Sequence, residues 1–397
     1  MKKKLLFIPA DNISLKISRS YYLAKGLGDH FDVYFVTWYD PQDNNWSGRA
    51  SRFAAVSAFY KSLFRSFRVR YSAEDNFYTV QCPVFLVAFV HKLIGYVTAR
   101  KVSRVLNGAV LKYLVGKLHP DVVFFADGFF VFPHVPMAVR TYADIQDDYD
   151  EERKEVLAFE KNYIAKDYSQ TVSNYTITPA AVKRLQDWYE SKFNFLPNGA
   201  DFYTIRGVTE AQIAQTRQSL GLVGSFVLSY IGSYAKFDEA FVMRLAQRLA
   251  TQMPEVKLVL VGKLPEVKLP NVVNIGPLPP ERAALFFRLS DAGIILNDTS
   301  QSKFLNNSLP LKIIQYAAAR KPVLTFPLSW IGENDFSNVK VIQGDDLDRW
   351  VAAIRDVQRF QWTDRMEEVW RAYDWKEITR KLAEEIQASP AGVPVEA

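Results

Sequence analysis

A single cysteine, Cys82, stands in a chain of 397 residues, so no disulfide can close within it. Histidine is almost as scarce. His30, His91, His119 and His134 are scattered, and with one thiol they cannot assemble a zinc site of ordinary spacing. Long apolar runs are also missing: the most membrane-like uncharged stretch, Phe77 to Val90, has 14 residues, short of the roughly 20 that a spanning helix needs. The basic opening Met1 to Lys4 is followed only by Leu5 to Ala10 before Asp11, which reads as a strand and not as the apolar core of a signal peptide. These absences argue against a disulfide scaffold, a zinc-built domain and a transmembrane helix, and they fit a reducing compartment.

What is abundant is core material. Hydrophobic residues make up 49% and aromatics 14%, with 28 Phe and 20 Tyr, enough for sizeable cores in two or three domains. Charge is unevenly placed: the formal balance is +10 over residues 1–140 and −4 over residues 141–397. A basic first part predicts an acidic partner, whether nucleic acid, an anionic membrane surface or a phosphorylated substrate.

Periodicity predicts a β-α-β opening, with strands at Lys4 to Pro9 and Asp32 to Thr37 around a helix from Ser14 to Gly28. Further strands are expected at Asp121 to Ala126, around Val135 to Tyr142 and at Tyr168 to Ser173, alternating with helices near 95–117 and 151–166. The Pro197-Asn198-Gly199 turn signal places a domain boundary near 200. Beyond it, strands at Phe226 to Ile231, Val256 to Val261, Val272 to Ile275, Gly293 to Leu296 and Pro322 to Thr325 alternate with helices near 238–252, 280–290 and 310–319, the pattern of a second doubly wound parallel sheet. The tail from Thr363 to Ala388 reads as one amphipathic helix.

Ile231-Gly232-Ser233-Tyr234 ends a buried strand in a glycine, which lets a ligand approach the backbone beyond the strand end, although ordinary tight turns use the same residues. Ser308 and Pro310 read as N-cap and first helical residue, which puts Lys312 in a first turn. A cation there opposes the helix dipole unless an anion is bound, so the pair suggests a diphosphate; a solvated lysine is the plainer reading. Gln315 shares that face and is placed to contact a ribose or sugar hydroxyl.

Asp144, Asp147, Asp148, Asp150, Glu151 and Glu152 follow the strand ending at Tyr142. A carboxylate at a strand's C-terminal end is a candidate general base, while Asp150 to Glu152 also read as a solvated helix N-terminus. Trp46 to Tyr71 holds six cations and no acid. Its spacing predicts an amphipathic helix with Lys61, Arg65 and Arg68 outward and Phe64 and Phe67 on the apolar face, suited to an anionic membrane interface or to core packing under a solvated basic face. No nucleic-acid recognition motif accompanies it.

From Pro310 to Val323 the sequence resembles the donor-binding helix of the GT-B glycosyltransferases. Leu196-Pro197-Asn198-Gly199-Ala200-Asp201 resembles the segment joining their two domains, and Gly232-Ser233-Tyr234 the loop after the first strand of the second. Gly232-Ser233 with Phe237-Asp238, and Lys312 with Gln315-Tyr316, is similar to the membrane-associated glucuronosyltransferases of xanthan assembly; many relatives carry Glu where Gln315 stands.

The resemblance implies an α/β chain of two Rossmann-like domains: an acceptor-binding, membrane-facing domain over 1–200, a nucleotide-sugar domain over 201–365, and a C-terminal helix and tail over 366–397 crossing between them. It implies an inverting transferase that uses a UDP-sugar and a lipid-diphosphate-linked acceptor in exopolysaccharide or cell-surface polysaccharide synthesis, without metal or cofactor, on the inner face of the plasma membrane. Gly232, Ser233, Tyr234, Leu278, Asn297, Lys312 and Gln315 would hold the donor, and Asp147 would be the base, with Asp144 and Asp148 as rivals. Tyr234 and Leu278 stand where that group has methionines, Pro277 and Asn297 where it has Glu and Tyr, and Arg320 where Gly is common; these departures bear on which sugar is used. Asp148-Tyr149-Asp150 has the D-x-D form by which another transferase architecture holds a metal, a reading that a second Rossmann-like half opposes. The competing expectations are a retaining transferase or sugar-nucleotide epimerase of the same architecture, and a non-catalytic membrane-bound glycan- or nucleotide-binding protein.

Overall fold

The computed structural model describes residues 2–9, 18–37, 66–83, 94–126, 129, 132–134, 139–145, 161, 164–232, 238–295, 309–328 and 336–389. The chain divides into two units, Met1–Leu196 with Thr379–Ala397, and Pro197–Ile378.

The first unit runs β1 (Lys4–Ile8), α1 (Arg19–Leu27), β2 (Asp32–Thr37), β3 (Val69–Ser72), β4 (Phe77–Gln81), α2 (Tyr96–Leu118), β5 (Val122–Ala126), β6 (Arg140–Ile145), β7 (Ser173–Thr176), α3 (Pro179–Tyr189) and β8 (Phe193–Phe195). Its described strands form one sheet in the order β3-β4-β2-β1-β5-β6-β7-β8. Every pairing is parallel except β3 with β4. Helices cover both faces of such a sheet, which is why β1 and β5, KLLFI and VVFFA, are apolar without alternation and almost wholly buried.

Expectation and structure part in two places here. The expected helix does not run through Tyr71: Phe67 has a φ of 64°, which no helix adopts, and Val69–Ser72 instead pairs antiparallel with β4, Val69 opposite Val80 and Ser72 opposite Phe77, while residues 46–65 of that expectation lie outside the described residues. The strand expected at 168–173 is helical through Ser169, and the strand begins at Ser173. Asn174 sets that boundary, its amide donating to the Tyr168 and Lys192 carbonyls at 3.2 and 3.0 Å across the turn between them. The helix expected over 151–166 lies largely outside the described residues.

The second unit runs α4 (Phe202–Arg206), α5 (Glu210–Ser219), β9 (Phe226–Ile231), α6 (Glu239–Gln252), β10 (Val256–Val261), β11 (Val272–Ile275), α7 (Pro280–Leu289), β12 (Ala292–Ile295), α8 (Leu311–Ala318), β13 (Val323–Thr325), β14 (Val339–Val341), α9 (Leu347–Val357) and α10 (Asp364–Arg371). Its described strands form a parallel sheet in the order β11-β10-β9-β12-β13-β14, with an apolar core on each face. The expected single tail helix is broken between α10 and α11 (Trp375–Ala388). The break lies where Ala200 pairs with the tail: its N–H donates to the Tyr373 carbonyl at 3.0 Å and its carbonyl accepts from Trp375 at 3.1 Å. The first residues of α11 belong to the second unit, and those from Thr379 to the first.

One polar interaction sits deep in the first unit. Asp144 on β6 is fully buried, and Arg19 of α1 grips it with Nε to Oδ2 at 2.7 Å and Nη2 to Oδ1 at 2.9 Å, while Nη2 also donates to the Leu196 carbonyl at 2.9 Å. Such a pair is costly to break from one side, because the remaining charge is stranded without water. Arg19→Met is expected to destabilise the first unit by about 3–5 kcal/mol in urea unfolding, and adding Asp144→Asn to it is expected to recover part of that loss.

Candidate functional site

In the second unit the chain leaves β9, lays β10 and β11 on one side, and returns to lay β12 on the other. β9 and β12 are the strands between which the order reverses, and beyond the C-terminal ends of such a pair a parallel sheet leaves a crevice for a ligand. Gly232 follows β9, and α8 follows β12.

Tyr316 fastens α8 to this place. Its ring lies against Gly293 of β12, where an added Cβ would come within 2.4 Å of it. Its hydroxyl donates to the Ser229 carbonyl at 2.7 Å and sits 2.8 Å from Ser229 Oγ, which is 2.6 Å from Ser290 Oγ. Ser229, Ser290 and Tyr316 are fully buried, so the network is closed to water. Burial also raises the Tyr316 phenol well above its ordinary pKa, which keeps its proton in place.

Lys312 lies one turn earlier on the same face of α8. Its ammonium donates to the Tyr230 hydroxyl at 2.9 Å and sits 4.0 Å from the centroid of the Tyr230 ring, a cation–π contact. Burial raises the Tyr230 phenol too, so the hydroxyl accepts from Lys312 and keeps its own proton to donate. The Lys312 side chain runs directly over Gly232, where a Cβ would fall 2.2 Å from Nζ and 2.5 Å from Cε. Gly262, at φ 137° beyond the end of β10, packs in turn on the Gly232 carbonyl, 1.8 Å from where its own Cβ would stand. These two glycines thin the rim of the sheet and let the ammonium settle on it.

Pro310 is the N-cap residue of α8, not its first helical residue as the sequence suggested, and its own side chain makes no cap bond. The first turn of a helix offers N–H groups to an anion, and here it carries a cation beside them. Gln315 is half-buried one step along the helix, and Leu278 is half-buried against the core between β11 and α7. The structure thus brings Lys312 and Gly232 into contact. Ser233, Tyr234, Asn297 and Ser308 lie outside the described residues. Tyr230 was not anticipated; within the apolar run FVLSYI it reads as core, and the hydroxyl two residues before the glycine was the available signal.

In the first unit, both carboxylate oxygens of Asp144 are taken by Arg19, so this rival for the general base has a structural partner instead. Asp147 and Asp148 lie outside the described residues, as do Lys61, Phe64 and Arg65. Arg68 is exposed, one residue before β3. Phe67, expected as a membrane anchor, packs edge-on against Tyr113 of α2 at 4.5 Å and against the core, so the fold itself occupies its ring.

No protein-family model matches the chain, and no curated protein does. Solved structures do. An alpha,alpha-trehalose-phosphate synthase (UDP-forming) from Burkholderia vietnamiensis is similar at TM-score 0.65 and 12% identity, over 100% of this chain and 99% of that one. Sucrose-phosphate synthase from Thermosynechococcus elongatus is similar at TM-score 0.62 and 12% identity, over 97% and 98%. HepE of Anabaena, in complex with UDP and glucose, is similar at TM-score 0.60 and 12% identity, over 98% and 100%. These likenesses show the fold: two Rossmann-like α/β units of the GT-B architecture, along the whole chain.

The two glycines should respond differently to a methyl group. Gly262→Ala meets backbone at a positive φ and is expected to cost about 1–3 kcal/mol, read as a lower thermal midpoint. Gly232→Ala meets the end of the flexible Lys312 side chain first and the Tyr230 hydroxyl at 3.3 Å, so it is expected to displace Lys312 with a much smaller loss of stability.

Proposed function

We propose, for a chain that carries this fold and this arrangement around Lys312, that it is a glycosyltransferase moving a sugar from a UDP-sugar to an acceptor hydroxyl. The carrying observation is the ammonium held on Tyr230 over Gly232, in the first turn of α8 and at the point where the strand order reverses. A nucleoside diphosphate leaving group needs positive charge that is already in place as its bond breaks. HepE, similar over the whole length, holds UDP.

On this reading the second unit takes the donor and the first takes the acceptor. Asp147 removes the proton of the acceptor hydroxyl, whose oxygen attacks the anomeric carbon from the face opposite the diphosphate. The bond from that carbon to the diphosphate oxygen breaks, UDP departs, and the configuration inverts. Lys312, the first-turn N–H groups of α8 and those near Gly232 and Ser233 meet the developing charge, with no metal or cofactor called for. Tyr234, Leu278, Asn297 and Gln315 are the residues this reading assigns to the rest of the donor.

The resemblance to the xanthan glucuronosyltransferases supports a finer reading. The sugar is glucuronic acid, the acceptor is a lipid-diphosphate-linked glycan of exopolysaccharide or cell-surface polysaccharide synthesis, and the protein is peripheral on the inner face of the plasma membrane. The basic first part of the chain, +10 over residues 1–140, suits such a surface.

Calorimetry with UDP, GDP and UDP-glucuronic acid, without divalent metal, tests this. Uridine ligands are expected to bind wild type, and Lys312→Ala to lose about 10²- to 10³-fold in turnover; equal binding and turnover by that variant would remove Lys312 from the site. Tyr230→Phe keeps the ring and removes only the hydroxyl, and is expected to weaken UDP binding by up to about tenfold. Inversion is read from the anomeric configuration of the product by NMR. Binding without transfer, with Asp147→Asn fully functional, would support a non-catalytic binding protein.

A further inference from the structure

A surface helix ordinarily turns polar side chains to water. The outer side of α2 turns Val97, Val102, Val105, Leu106 and Tyr113 outward instead, from 38% exposed for Leu106 to 73% for Val105. At 100° per residue, Val102, Val105, Leu106 and Tyr113 fall within an arc of about 100°. Lys101 and Lys112 flank that arc on one side and Lys117 on the other, all three exposed. The 23 residues of α2 include no aspartate or glutamate. The opposite side carries Leu111, Leu114 and Leu118 into the core, so the apolar outer face is additional to what the fold consumes.

The face does not stop at the helix. Tyr113 meets Phe67, and Lys117 donates to the Phe67 carbonyl at 2.9 Å. From there the chain passes the exposed Arg68 into β3, the edge strand of the described sheet, which exposes Val69, Arg70 and Tyr71, the last at 57%. The next acid in sequence is Glu74, in the turn beyond the strand.

We propose that this face, the outer side of α2 continued by β3, seats the protein on an anionic lipid bilayer. The valines, Leu106 and the two tyrosines enter the headgroup region, and the lysines and arginines meet lipid phosphates. Charge complementarity selects this occupant. A second copy docked face to face would press the same cations together, whereas a bilayer offers apolar depth and negative charge at once. Among the described residues no helix is long and apolar enough to cross a membrane, so the face rests on the bilayer and does not enter as a span. The inference rests on the membrane reading above; of the segment 46–71 to which the sequence assigned it, only the part from Arg68 to Tyr71 belongs to this face.

Co-sedimentation with vesicles of phosphatidylcholine, alone and mixed with phosphatidylglycerol, tests it on the full chain. Wild type is expected on the mixed vesicles only, with binding that weakens as salt rises. Lys101→Gln with Lys112→Gln is expected to lower low-salt binding by about fivefold per lysine. Val102→Ser, Val105→Ser and Leu106→Ser together leave the charge unchanged, and are expected to lower the salt-resistant remainder by about tenfold. Unchanged thermal midpoints and UDP binding identify variants that remain folded. Absence of wild type from mixed vesicles would overturn both this surface and the membrane reading. Equal binding by wild type and both variants would overturn the surface and leave the membrane reading standing. A wild-type dimer in light scattering that the serine variant dissolves would assign the face to a second copy and overturn the bilayer.

Discussion

The candidate site depends on how closely a helix can lie on a sheet. α8 reaches β9 and β12 because Gly293 offers no Cβ to the Tyr316 ring, and the hydroxyl of that ring then bonds Ser229 in a region closed to water. A buried hydroxyl with its partners in place fixes a geometry more strictly than apolar contact does, since any shift strands polar atoms without water. Lys312, four residues before Tyr316, inherits that fixity. Its ammonium rests on an aromatic face and a phenol hydroxyl, which hold it at the sheet rim.

The two sheets were largely legible in the sequence because parallel strands are covered on both sides. FVLSYI, VKLVLV and VVFFA are apolar but for Ser229 and Lys257, and they are strands within a residue of where periodicity places them. Edges were less legible. β3 is short and exposed, and its residues continue the helical spacing of the cationic stretch before it, so only the positive φ at Phe67 and the pairing with β4 reveal the change. At the site, Gly232 and Lys312 could each be singled out by local chemistry, a glycine at a strand end and a cation against a helix dipole. That they touch is a product of topology, which lays β12 beside β9 and brings α8 back over it.

The acids after β6 show the opposite limit. By composition Asp144 was as good a base as its neighbours, but β6 turns it inward and α1 supplies the arginine that neutralises it. Pattern identifies which residues can ionise; burial decides which of them remain available. The same distinction separates Phe67, which the core has claimed, from the valines of α2, which it has not.

The division of the chain has a consequence for the order of events in its synthesis. The first unit is not contiguous: Arg140 donates to the carbonyls of Ile386 and Ser389, and Tyr175 to Glu385, so that groups of β6 and β7 are satisfied by residues near the end of α11. A ribosome makes those residues only after the whole second unit has been made. The N-terminal sheet must therefore wait through the synthesis of roughly the second half of the chain with these groups unmatched. A helix made after the second unit completes the unit made before it, and a chain truncated before Thr379 would leave that earlier unit unfinished.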